Sequence, residues 1–135
     1  MKKLLSVRYT AAAFNVAMLI LRAGMGILSA HHGYDKLVHF DEYNKKFINF
    51  LGMGTSVSLG LVVFSEFFCA LFVIFGLLTR LAVIPLIISM SVALFVAHGG
   101  QVFGDGEHAS LFILGFVAIL LVGPGRISVD RLLRL

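Results

Sequence analysis

The sequence predicts an all-α membrane protein, a four-helix transmembrane bundle with both termini on the inner side. Only 13% of the 135 residues are charged, about half the share of an ordinary soluble domain. Four apolar runs lie near span length, at residues 11–31, 57–78, 79–98 and 107–122. Residues 1–135 therefore read as a single membrane domain, closed by a basic tail at 123–135.

The first run follows Met1-Lys2-Lys3-Leu4-Leu5, which resembles the start of a signal peptide, and Leu28-Ser29-Ala30 resembles a cleavage region. The apolar stretch runs well past a usual signal core and carries Arg22 at its middle, so it is expected to stay as a membrane helix. The connection at 31–56 is the longest. In it Leu37, Phe40, Phe47, Phe50 and Leu51 recur loosely like one face of a helix, with Asp41, Lys45 and Lys46 between them. An amphipathic helix in the outer interface and an ordinary loop both fit that pattern. Gly76 is placed to end the second helix and Thr79 to cap the third. Pro85, in the second turn of the third helix, predicts either a kink or a later start. Gly99-Gly100 and Gly104-Asp105-Gly106 mark turns before the fourth run. Read as a phosphate loop, that glycine pattern is broken and on the wrong side for a nucleotide. Gly123-Pro124-Gly125 stops the fourth helix, and Ser128 is placed to cap a short helix with Arg131 and Arg134 against anionic lipid.

Basic residues set the orientation. Lys2, Lys3, Arg8, Arg80, Arg126, Arg131 and Arg134 fall on one side, whereas Lys36, Lys45 and Lys46 on the other are diluted by Asp35, Asp41 and Glu42. The positive-inside rule then places both termini in the cytoplasm, and for a bacterial chain the location is the inner membrane. The net charge of +4 is explained by these topology signals. The basic residues form no contiguous patch, so nucleic acid is not an expected partner; the lipid bilayer is.

Arg22 and Glu66 are the charged residues that interrupt apolar runs. Such residues usually face a bundle interior, find a partner and mark function. Arg22 lies nine residues before His31 and Glu66 nine after Val57, roughly 14 Å below their outer ends at the helical rise. Equal depth on sequential helices predicts an Arg22–Glu66 pair, either a structural lock or part of a ligand site. Asn15, Arg22 and Ser29 recur every seven residues with Gly26 nearby, a polar, small-residue stripe of the type found at membrane helix contacts. Gly26, Gly33, Gly60 and Gly115 suit close packing within a protomer or in a homo-oligomer.

His31 and His32, His98, His108 and Glu107 all fall at the outer helix ends. With Glu66, the residues His32, His98, His108 and Glu107 are candidates to line an outward-opening pocket. Imidazoles beside a carboxylate suit a hydrogen-bonded quinone or a proton relay. Plain interfacial histidines are the competing reading. No H-x-x-x-H or C-x-x-C spacing is present, so neither metal nor haem is expected. Cys69, the single cysteine, is expected to pack rather than react. The phenylalanines, Phe64, Phe67, Phe68, Phe72 and Phe75 among them, face lipid or pack by default.

An ordered set of segments then resembles the DoxX family of small four-span membrane proteins. It comprises Arg22, then His32-Gly33-Tyr34-Asp35-Lys36-Leu37, Ser65-Glu66, Gly76-Leu77-Leu78-Thr79-Arg80, His98, and Gly123-Pro124-Gly125-Arg126-Ile127-Ser128-Val129-Asp130. The resemblance covers nearly the whole chain. It implies a four-helix bundle with both termini inside and a place in a membrane oxidoreductase system. Members resemble the membrane subunit of thiosulfate:quinone oxidoreductase, and others act with soluble redox partners. The family supplies no agreed catalytic set, so only Arg22 and Glu66 carry over, as matching intramembrane positions. The expected function is a membrane subunit that binds a quinone-like lipophilic carrier in the outer half of the bundle and takes its redox partner as a separate chain. A non-catalytic binding or assembly module for partner proteins is the alternative.

Overall fold

The computed structural model describes residues 1–135. Helix α1 spans Ala11–Val38, α2 Phe40–Asn44, α3 Thr55–Phe75, α4 Thr79–Ala97, α5 Glu107–Val122 and α6 Val129–Leu132. Helices α1, α3 and α4 are each long and apolar enough to cross a membrane; α5 is a shorter apolar helix. Consecutive long helices pack side by side, and α5 returns to α1 to close the ring.

The core between them is built from Met18, Val73, Leu86, Met90, Phe116, Ile119 and their neighbours. The outside is equally apolar: Ile20, Leu61, Leu81, Leu114 and Leu121 are exposed. A helix hydrophobic all round has no aqueous face to offer. The exterior is therefore the lipid-facing surface of a multi-span membrane bundle.

Helix α1 starts where Thr10 accepts a hydrogen bond from the Ala13 amide at 3.1 Å. It does not stop at His31 but continues seven residues, to Val38. The connection to α3 holds only the five-residue α2 and a single tight turn at Phe50–Gly52, so no one helix runs through 37–51. Helix α3 ends at Gly76, whose φ of +71° and ψ of 37° give the left-handed cap. Helix α4 passes Pro85 without interruption. Thr79 is its first residue and not its cap; the preceding Leu78 sits at φ +47°. Ser128 caps α6 as its position suggests, accepting from the Arg131 amide at 3.3 Å.

Both α3 and α4 widen into π-helical turns, at Phe64–Cys69 and Ala93–Ala97 respectively. Insertions of this kind displace a backbone carbonyl from the helical ladder and recur at functional sites. The first contains Glu66.

Candidate functional site

Helices α1 and α3 run antiparallel at very close range. A Cβ on Gly33 would lie 2.6 Å from the Glu66 carbonyl carbon and from the Phe67 nitrogen, and one on Gly26 would lie 3.1 Å from the Ala70 oxygen. Only glycine admits this approach. It brings Ser29 Oγ within 3.3 Å of the Glu66 carbonyl, to which it donates. One helical turn beyond Gly33, Lys36 donates its ammonium to Glu66 Oε2. Glu66 is 4% exposed, so its carboxylate is a buried charge satisfied by a single cation.

Arg22 does not pair with Glu66. It is 1% exposed and donates Nη1 to the Pro124 carbonyl and Nη2 to the Ile127 carbonyl, each at 2.7 Å. Its guanidinium lies against Gly76, where a Cβ would sit 2.5 Å from Nη1. Gly76 follows Glu66 by ten residues on α3, roughly 15 Å along the helix. The expected pair fails because its depth calculation ends α1 at His31. Counted from Val38, Arg22 is sixteen residues down, roughly 24 Å, whereas Glu66 is eleven from Thr55, roughly 16 Å.

The polar stripe itself is interior. Asn15 Oδ1 accepts from the Arg126 amide at 2.9 Å, Arg22 holds the tail, and Ser29 meets α3. Lys36 is the next member at the same seven-residue spacing. Extending the stripe by one step was the signal that finds the true partner of Glu66.

A second residue escapes sequence reasoning. The carboxylate of Asp130, 8% exposed, accepts from the Leu78 amide at 2.6 Å, the Thr79 amide at 3.0 Å and Thr79 Oγ1 at 2.8 Å. It caps α4 from fifty-one residues away. The Asp130 amide in turn donates to the Gly76 carbonyl at 2.8 Å. Arg22, the Gly76–Thr79 hairpin and the tail thus form one knot at the end of the bundle that carries both termini.

At the opposite end the histidines converge only in part. The rings of His32 and His108 lie 6.5 Å apart, edge to face, and His32 meets Phe112 at 6.0 Å. His31 adjoins His32 at 6.1 Å. His98 and Glu107 are exposed at the same end, and neither bonds to the Glu66 carboxylate. No group of three or more His, Cys, Asp or Glu side chains gathers as a metal-ligating set. Outside the spans, Tyr43 donates to Asp35 Oδ2 at 2.5 Å, and that bond, with some burial, raises the phenol above its ordinary pKa.

Of the small residues, Gly26 and Gly33 seat α1 on α3 and Gly115 faces Met25 of α1, while Gly60 has open space around it. Cys69 is buried in the core.

Two curated proteins are similar over most of the chain. The inner membrane protein YqjF of Escherichia coli is 27% identical over 139 aligned residues, covering 98% of this chain and 97% of the relative. The uncharacterized membrane protein Rv3486 of Mycobacterium tuberculosis is 28% identical over 132, covering 85% and 80%. No solved structure matches significantly. The DoxX family pattern matches residues 17–99, which contain Arg22, Lys36, Glu66 and both π-helical turns, and the chain belongs to the DoxX family.

Proposed function

We propose that the chain is the membrane subunit of an oxidoreductase system. In this reading it crosses the inner membrane four times with both termini in the cytoplasm, and a quinone-like lipophilic carrier binds in the outer half of the bundle. Membership in the DoxX family is consistent with a redox-associated membrane role, and the name of the Escherichia coli relative supports the location. The observation that carries the reading is the buried Lys36–Glu66 pair on a π-helical turn, with His32 and His108 at the same end.

A carbonyl carrier, when bound, accepts electrons from a separate partner chain and takes up protons. A carboxylate held by one flexible ammonium can exchange a proton without dismantling the helix contact, because Gly33 and Ser29 hold α1 on α3 independently. His32 and His108, 6.5 Å apart at the same end of the bundle, are the imidazoles in this reading that pass the proton on to the water side. Lys36, and not Arg22, is the cation at this carboxylate, because the Arg22 guanidinium is engaged by the tail.

The test is Glu66→Gln. The protein is purified in mild detergent, extracted into organic solvent and analysed by mass spectrometry, wild type beside variant. A stoichiometric quinone in the wild type, with reduced retention or turnover in a still-folded variant, is expected. Glu66 is also paired with Lys36 across the α1–α3 contact, which favours a second reading as a helix lock in an assembly module. Under that reading no quinone is retained, and Glu66→Gln loses folding or partner binding instead.

A further inference from the structure

On the other face of α3 lies a cavity of about 320 Å³ between α3 and α4, with Phe47 and Phe50 of the α2–α3 connection in its wall. It falls within the range of about 300–1,000 Å³ typical of small-molecule sites. Ser58, Ser65 and Ser89 are the only polar side chains lining it, and none is charged. A second cavity, about 230 Å³ and wholly apolar apart from Cys69, continues it along the same two helices; Phe64 and Pro85 line both. Together they form a trough from the α2–α3 connection down to Leu78.

Ser89 is the anomaly in this trough. Ser58, Ser65, Ser91 and Ser110 each donate to a backbone carbonyl three or four residues back, as hydroxyls in apolar helices generally do. Ser89 is only 8% exposed and its Oγ has no partner. A buried hydroxyl without a partner is costly unless something else accepts from it.

We propose that this trough is the seat of the carrier: Ser89 Oγ donates to a ring carbonyl, and the hydrocarbon tail lies along Phe64, Phe72 and Leu81 toward Leu78. The proposal rests on the reading of the protein as a carrier-binding subunit but sets the ring at mid-depth on the α3–α4 side, with the tail in the inner half of the bundle. Depth argues for this ligand class. Ser89 lies ten residues from Thr79 and eight from Ala97, roughly 12–15 Å from either end of α4, inside a hydrocarbon core about 30 Å thick. A phospholipid keeps its ester carbonyls and charges at the interface and finds no charged partner here. An uncharged prenylated carbonyl ring carries its acceptor at the required depth. Ser65 and Glu66 are adjacent on the π-helical turn, so the proton-exchanging pair and the trough share one element.

The experiment is a titration of the full chain in detergent with decyl-ubiquinone, read as protein-bound quinone over protein-free micelles. Variants are Ser89→Ala and Val92→Phe. Ser89→Ala removes only an unpartnered hydroxyl and stays folded; it is expected to weaken binding about tenfold, the worth of one buried hydrogen bond. Val92→Phe fills the cavity and is expected to abolish binding, with unfolding in detergent as its control. Saturable wild-type binding that Ser89→Ala and Val92→Phe leave unchanged would overturn the trough as the site while the carrier reading stands. Absence of saturable binding to the wild type would overturn both.

Discussion

Removing the carboxylate of Asp130 is the sharpest test of the knot at the terminal end. Asp130→Ala deletes the acceptor for the Leu78 amide, the Thr79 amide and the Thr79 hydroxyl, at 2.6, 3.0 and 2.8 Å. Loss of an ordinary helix N-cap costs about 1 kcal/mol. Hydrogen bonds to a charged group are worth about 1.5–3 kcal/mol each but do not sum when they share one acceptor. Leu78 at φ +47° adds strain of about 1–3 kcal/mol, which this contact helps hold in place. We expect a loss of about 3–4 kcal/mol for Asp130→Ala. Asp130→Asn keeps one carbonyl acceptor and should lose about half that. Equilibrium unfolding in mixed micelles measures both. The double-mutant cycle with Thr79→Val isolates the hydroxyl, with a coupling of about 1 kcal/mol expected. A loss below about 0.5 kcal/mol for Asp130→Ala, the level of an ordinary surface change, would refute the reasoning.

Three further outcomes follow from the same contacts. Lys36→Met leaves the Glu66 carboxylate buried and unpaired; breaking a buried pair costs about 3–5 kcal/mol, and because Lys36 keeps 20% of its side chain in contact with solvent we expect the lower end. The Lys36→Met/Glu66→Leu double variant should recover most of the loss, and no recovery in micelle unfolding would count against the ion pair. Gly33→Ala forces a methyl against the Glu66–Phe67 backbone and should cost about 1–3 kcal/mol by overpacking. Gly24→Ala meets open space and should gain up to about 1 kcal/mol of helix propensity, so equal effects at the two glycines would contradict the close α1–α3 contact. For Tyr43, the folded phenol pKa is raised. Its bond to Asp35 therefore stabilises fully below the ordinary phenol pKa of about 10 and is lost as pH rises through the higher folded value. The absorbance difference between wild type and Tyr43→Phe should show phenolate only above the ordinary range, and ionisation at or below it would exclude the bond.

The helices were legible because their causes are local. Low charge, apolar runs and glycine punctuation predict all-α spans, and helical spacing assigns Asn15, Arg22 and Ser29 to one interior face. Periodicity identifies a face but says nothing of axial offset. Whether Glu66 met Arg22 or Lys36 depended on where α1 ended, and its last seven residues carry Lys36, Asp35 and His32 in a mixed polar pattern that reads equally as loop. The close approach at Gly33 sets that register, and its consequence, a lysine opposite a buried carboxylate, exists only once two helices touch. The same holds for Asp130, whose carboxylate caps a helix fifty-one residues earlier in the chain, and for Ser89, an unremarkable serine in sequence whose want of a partner is a property of the packed bundle. Composition and period, which act along the chain, determined the class, the apolar helices and the inward stripe. Pairing between side chains on different helices acts across space, and the tertiary structure decided it.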